Sequence, residues 1–321
     1  MPPRVEAPGT YEAAASALGA AAQDGLRVRI GGAGTKSAWG APVPEPDLEL
    51  RTSALDSIVE HNVGDLTAVV QAGVPLGRLR DELAGARQML AIDPPLGAGD
   101  DDGATLGGVL ATADSGPLRH RHGGPRDLVL GMTVALSDGT VARAGGKVIK
   151  NVAGYDLAKL FTGSYGTLGA ILEVAVRLHP LPAATVTVVG ESDDPAAVAA
   201  AAAALTHATL EAQCLDVAWS GGRGRVLIRF AGAQAVAQAG EGLELLRRAG
   251  LAAESVEDDG ELWRDQRRGQ RSDGGLVVRV SGVQTQLESQ MRAAERLGGS
   301  LVGRAAYGLS WIALEGGTAE D

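Results

Sequence analysis

Seven consecutive residues near the start of the chain, Gly31, Gly32, Ala33, Gly34, Thr35, Lys36 and Ser37, have the composition of an anion cradle. Glycines let successive backbone N–H groups turn toward one phosphate, the Thr35 and Ser37 hydroxyls add donors, and Lys36 brings a countercharge. Two familiar nucleotide loops do not fit. A dinucleotide fingerprint built on Gly32 and Gly34 needs glycine where Ser37 stands and then a helix, but Gly40-Ala41-Pro42-Val43-Pro44 follows and breaks one. A P-loop needs glycine before Lys36, where Thr35 stands. A phosphate loop of another architecture and a plain glycine turn both remain open.

Two further stretches have the same texture. Thr105, Gly107 and Gly108 can open a helix whose free N–H groups face an anion, and Thr112, Ala113, Ser115 and Gly116 are small enough for a flat ring to lie against the backbone. Arg119, His120, Arg121 and His122 follow. With no cysteine or spaced third ligand nearby they suit an anionic ligand better than a metal. The third stretch, residues 147–180, passes from a polar segment through a short helical turn at Leu157, Leu160 and Phe161 to Gly163, Gly166 and Gly169, then into a strand at 170–178. Glycines at that spacing admit a ligand or a tight loop-to-strand connection. Asp100, Asp101 and Asp102 lack oxygen-ligand spacing and read as a solvated charge run, so no metal site is expected.

The elements that must carry these stretches alternate. Thr10 caps a helix over 10–24, Gly25 ends it, and residues 26–30 alternate as a half-buried strand feeding the first glycine loop. Strands are expected at 48–51 and 67–72, short helices at 56–59 and 76–83, and a strand pair around the Asp138-Gly139 turn. Beyond residue 182 the order is strand 185–190, alanine-rich helix 195–210, strands 215–219 and 225–231, and helix 234–249. That is the β-α-β-β-α order of a small ferredoxin-like layer. A helix at 287–297 lies between late strands at 276–280 and 308–314.

Composition narrows the function classes. A net charge of −10 argues against nucleic acid or an anionic membrane as partner. The single cysteine, Cys214, can form no internal disulfide, which suits a reducing compartment. With no signal-peptide or membrane-span pattern, a cytoplasmic protein is expected, peripheral to the inner membrane face only through partners. Aromatics make up only 3% of residues, leaving little for a base-stacking surface.

The segments G-G-A-G-T-K, T-L-G-G-V-L-A-T, V-L-G-M-T-V-A-L-S-D-G-T and above all K-N-V-A-G-Y-D-L-A-K-L-F-T-G-S-Y-G-T-L-G resemble the FAD-binding domain of the vanillyl-alcohol oxidase type, as found in the FAD-binding subunits of bacterial glycolate oxidase. The resemblance covers about residues 10–182. It implies an α+β fold with a two-subdomain FAD-binding domain over 1–182 and a cap-like, ferredoxin-like α+β domain over 183–321. By the same resemblance Gly31, Gly32, Ala33, Gly34, Thr35, Lys36 and Ser37 hold the FAD pyrophosphate, and Thr105, Gly107 and Gly108 continue that grip. Thr112, Ala113, Ser115 and Gly116 line the flavin, and Gly123 sits near its polar edge. Gly166, Thr167, Gly169 and Ile171 approach the adenine and ribose. Ala33 departs from a run of three glycines, and no histidine or cysteine stands in the first loop, so noncovalent FAD is expected.

The activity implied is that of an FAD-binding subunit of a multi-subunit oxidoreductase that oxidises glycolate or a related 2-hydroxy acid to the 2-oxo acid. Its implied partners are catalytic flavoprotein and iron-sulfur subunits. The alternatives are an assembly subunit with a vestigial flavin site, or a self-contained FAD-dependent reductase. Such dehydrogenases carry a C-terminal histidine pair, whereas His207 is the last histidine here and sits in the alanine-rich helix. No catalytic base is named, and Arg264, Arg267 and Arg268 are weak candidates for gripping a carboxylate.

Overall fold

The computed structural model describes residues 2–40, 43–95, 103–147, 156–272 and 274–316. The acidic run at 100–102 and the K-N-V-A-G-Y part of the longest motif therefore lie outside the described residues. The chain forms two compact units, one of residues 1–92, 96–115 and 123–181, the other of residues 93–95, 116–122 and 182–321.

In chain order the first half contains β1 (Arg4–Glu6), α1 (Tyr11–Gln23), β2 (Val28–Gly31), β3 (Leu48–Arg51), β4 (Ile58–Asn62), β5 (Thr67–Gln71), α2 (Leu76–Gly85), β6 (Gln88–Met89), α3 (Leu106–Thr112), α4 (Arg119–His122), α5 (Pro125–Leu128), β7 (Val129–Ala135), β8 (Val141–Gly145), α6 (Ala158–Phe161), β9 (Ala170–Arg177) and β10 (His179–Pro180). All but α4 lie in the first unit. There a three-stranded parallel sheet, β1-β3-β2, accompanies a five-stranded antiparallel sheet, β4-β5-β9-β7-β8. Thr10 caps α1 as its position predicts, its Oγ1 accepting the Ala13 N–H at 3.1 Å. The alanine face of α1 (Ala14, Ala15, Leu18) packs with Leu50, Leu55, Ala135, Ala170 and Leu172, so a helix too short to be stable alone in water is held by burial. The helix expected at 56–59 is instead β4, because β-branched Ile58 and Val59 continue an extended run that pairs with β5.

The second half contains β11 (Thr185–Ser192), α7 (Pro195–His207), β12 (Ala212–Ser220), β13 (Arg223–Ala231), α8 (Ala235–Arg248), β14 (Ala252–Val256), α9 (Gly260–Arg268), β15 (Leu276–Ser281), α10 (Leu287–Arg296), β16 (Ser300–Arg304) and β17 (Leu309–Leu314). One seven-stranded sheet runs β14-β11-β13-β12-β16-β17-β15. Its first four strands with α7 and α8 have the β-α-β-β-α-β arrangement of a ferredoxin-like layer, and β16, β17 and β15 extend it beyond the small layer expected. Val198, Ala201, Ala202 and Leu205 of α7 and Leu246 of α8 pack against Ile228 and Phe230 from the sheet. Among the described residues no helix is long and apolar enough to cross a membrane.

Candidate cofactor site

Three sequence-distant glycine stretches meet inside the first unit. Strand β2 delivers Gly31 and Gly32 against the start of α3 so closely that a Cβ at Gly32 would lie 2.0 Å from Thr105 Oγ1. A Cβ at Gly103 would lie 3.9 Å from the Ala33 methyl. At the far end of α3, the Gly163 and Tyr165 N–H groups donate to the Leu110 and Ala111 carbonyls at 2.9 and 2.8 Å, and a Cβ at Gly163 would touch Ala113 at 3.3 Å. Gly166, at φ +75°, backs onto Ile30 of β2. Loop, helix and third stretch thus surround one another, although 132 residues separate Gly31 from Gly163.

The loop itself fits an anion. Ser37 closes back on it, donating its N–H at 3.1 Å and its hydroxyl at 2.9 Å to the Gly34 carbonyl. The Ala33, Gly34 and Thr35 N–H groups donate to no acceptor among the described residues. Gly34 holds φ +79°, and neither it nor Gly31 has an atom within 4 Å of where a Cβ would be. Undonated amides beside open space are what a pyrophosphate requires of backbone.

Other expected contacts are used inside the protein. The Leu106, Gly107 and Gly108 N–H groups donate to Val74 O, Ala72 O and Thr105 Oγ1, so the first turn of α3 has no free donors for an anion, contrary to the expectation drawn from its glycines. Gly107 is small because Ala72 lies 2.7 Å from its Cβ position. The Thr112 hydroxyl turns back to the Gly108 carbonyl at 2.9 Å, and the Thr167 hydroxyl to the Ser164 carbonyl at 2.7 Å. A Cβ at Gly169 would lie 2.6 Å from the Ala135 carbonyl, so glycine lets β9 pass, and Ile171 is buried in that same strand pairing. Gly123, at φ +79°, turns the chain into α5 beside the Asp127 carboxylate. Ser115 is buried at the end of the first unit's segment, and Gly116 counts with the second unit, packed against the Asp93 carbonyl.

Lys36 is placed differently from a mobile countercharge. Its ammonium lies 3.8 Å from an Asp114 carboxylate oxygen, with side-chain exposures of 8% and 4%. It also approaches Thr35 Oγ1 at 3.3 Å and lies 5.7 Å from the centre of the Trp39 ring. Asp114 carries no motif signal, and only the fold brings it to the loop.

Residues 2–145 match the family described as FAD binding domain. That part of the chain resembles an FAD binding domain. Glycolate oxidase subunit GlcE of Escherichia coli (strain K12) is 38% identical over 158 residues, 49% of this chain and 44% of that protein. Glycolate oxidase subunit GlcD of Bacillus subtilis (strain 168) is 34% identical over 217 residues, 66% of this chain and 45% of its own length. A mitochondrial cytochrome-type D-lactate dehydrogenase of Saccharomyces cerevisiae is 33% identical over 163 residues, 51% of this chain and 27% of that enzyme. The matches span less than half the length of each of these relatives. Among solved structures, an alkyldihydroxyacetonephosphate synthase superposes with a TM-score of 0.75 at 16% identity over 96% of this chain and 70% of that one. Substrate-bound p-cresol methylhydroxylase gives 0.75 at 15% over 97% and 74%. The fold is the vanillyl-alcohol oxidase type, with FAD as the cofactor of its binding domain.

The second unit holds a buried polar network that motif reasoning missed. Arg304 and Asp216, both fully buried, pair at 2.6 Å; Arg304 also donates to Gln270 at 2.6 Å, and Gln266 donates to Asp216 at 3.0 Å. Burial pushes the Asp216 carboxyl up to about 6 despite the Arg304 charge. Arg229 donates to Cys214 Sγ at 3.3 Å and stacks over Trp263, whose indole N–H reaches Thr187 at 2.9 Å. Asp93 enters the same network, raised by burial and drawn back by Arg267, Arg304 and Arg229. Of the three arginines expected to grip a carboxylate, Arg268 is exposed and pairs with Asp265 at 3.4 Å, and Arg267 acts on Asp93. Arg264 lies on the same helix.

Proposed function

We propose that this chain is the FAD-binding subunit of an oxidoreductase that converts glycolate or a related 2-hydroxy acid to its 2-oxo acid, acting with catalytic flavoprotein and iron-sulfur partner subunits in the cytoplasm. The observation that carries the reading is the loop at 31–37, whose Ala33, Gly34 and Thr35 amides donate to no acceptor among the described residues while Gly32 lies on Thr105 at the start of α3 and Gly166 backs onto Ile30 just before the loop. Its support from relatives is the glycolate oxidase and D-lactate dehydrogenase names among them.

In this reading Ala33, Gly34 and Thr35 hold the FAD pyrophosphate through backbone amides, Ser37 keeps the loop closed, and Ala113 and Ser115 present a small-residue surface to the ring. Bound FAD supplies the two-electron acceptor for oxidation of an alcohol carbon. The chain contributes binding and orientation. The first loop holds no histidine or cysteine, and in this reading FAD is held noncovalently.

The test is the visible spectrum of the purified chain before and after acid precipitation, then with glycolate added. Flavin in the acid supernatant, with no bleaching by glycolate until partner subunits are added, is the expected result. Bleaching by the chain alone would overturn partner dependence. A colourless protein that takes up no added FAD would overturn the cofactor role.

A further inference from the structure

The phosphate loop is clipped at both ends. At one end Gly32 lies on Thr105, the N-cap of α3. At the other, Lys36 reaches Asp114, just beyond the α3 C-cap. Between the clips hang Ala33, Gly34 and Thr35, the residues with undonated amides. A lysine on an exposed glycine loop ordinarily extends its ammonium into water. Here the side chain is folded inward to 8% exposure.

The backbone fixes where the carboxylate stands. Ala113 adopts left-handed φ +50°, and the Ala113 and Asp114 N–H groups return to the Leu110 and Val109 carbonyls at 3.1 Å each. This is a helix-ending arrangement that leaves Asp114 little freedom. Asp114 is therefore an anchor, and the lysine comes to it.

We propose that Lys36 and Asp114 form a positioning pair that sets the distance between the phosphate loop and the strip at 112–115, and that Lys36 tunes FAD affinity through this spacing without serving as the phosphate's countercharge. The inference rests on the FAD reading of the loop. The pair is electrically neutral, so the cradle's attraction for phosphate resides in its amides. Losing either partner breaks this contact and lets the loop or the strip move.

The experiment compares FAD dissociation constants, by quenching of flavin fluorescence, and apoprotein melting temperatures for the wild type, Lys36→Met, Asp114→Asn and the double variant Lys36→Met/Asp114→Leu. Each single variant weakens FAD binding tenfold or more and lowers the melting temperature. The double variant, which removes both charges and keeps apolar volume, returns binding to within threefold of wild type. A double variant as weak as Lys36→Met would overturn the proposal by showing that the ammonium grips the ligand directly. Single variants that bind FAD like the wild type would overturn it by showing the pair to be idle. Should a single variant fail to fold, Lys36→Arg keeps the charge and changes its reach. Positioning then predicts weaker binding, and wild-type affinity counts against it. A wild-type chain that takes up no FAD overturns the cofactor role, and this inference with it, before any variant is made.

Discussion

Placing alanine at Gly32 tests the first of the two clips. The new methyl would meet Thr105 Oγ1 at 2.0 Å, and Thr105 Cβ and Cγ2 at 3.0 Å each. Rotating the threonine exchanges one clash for another, so its whole side chain must leave. In leaving, it surrenders the bond at 3.3 Å that caps α3 through the Gly108 N–H. A lost cap costs about 1 kcal/mol, and forcing a methyl into packed space costs about 1–3 kcal/mol. Gly32→Ala should therefore destabilise the start of α3 by about 2–4 kcal/mol, while Thr105→Ala loses only the cap, about 1 kcal/mol. The double variant has room for the new methyl and should cost little more than Thr105→Ala, a coupling of about 1–3 kcal/mol. Hydrogen exchange of a peptide covering 105–112 reads this directly, with about a hundredfold faster exchange in Gly32→Ala and about fivefold in the other two. Equal exchange in Gly32→Ala and wild type, or additive effects in the double variant, would refute the contact.

Three further outcomes follow from the geometry. Gly34→Val forces a β-branched residue into φ +79°; since the loop can relax when empty, the strain of about 1–2 kcal/mol falls on binding, seen as about a tenfold rise in the FAD dissociation constant. Cys214, fully buried with its thiol pushed up to about 12, should not react with an aromatic disulfide at mildly alkaline pH until the chain is denatured, when one equivalent is released. Asp216 has a folded pKa raised from 3.8 to about 6, so the folded state holds a proton that the unfolded state releases; its contribution is fully present below pH 3.8 and lost as pH rises through about 6. The shift corresponds to about 3 kcal/mol, and the difference in urea-unfolding free energy between wild type and Asp216→Asn should fall across that window. A difference that rises with pH would contradict the burial of that carboxylate.

Much of this architecture was legible in the chain because local signals and burial agreed. Thr10 capped a helix, the Asp138-Gly139 pair turned a hairpin whose Thr140 N–H donates to Asp138 at 2.8 Å, and the order of elements after residue 182 gave a ferredoxin-like layer. Short elements defeated local reading. Residues 56–59 lack a helix's length, and edge pairing with β5 decided their state. In the candidate site, glycine spacing located the three stretches but not what each glycine is for. Gly107 and Gly169 admit Ala72 and Ala135, and Gly34 opens onto space. Asp114, Asp93 and Asp216 carry no periodicity or spacing that foretells their burial. Their partners lie 78, 174 and 88 residues away at Lys36, Arg267 and Arg304, respectively, so long-range topology alone assigns them.

The second unit's composition has a consequence for anyone cutting this chain. The unit is not a continuous C-terminal stretch, because residues 93–95 and 116–122 belong to it. Asp93 holds the Leu118 N–H at 3.0 Å, and Leu118 packs against the cluster of Cys214, Leu227 and Trp263. Arg121 pairs with Glu211 at 3.0 Å, and the Tyr307 hydroxyl donates to the His120 carbonyl at 3.1 Å. A fragment beginning at Pro182 would open Trp263 and Cys214 to water and take from Arg229 one of its nearby carboxylates, Asp93. Any swap of the C-terminal half between relatives therefore has to carry two short upstream segments along, and a graft that omits them should express as an aggregating protein however well its seven strands match.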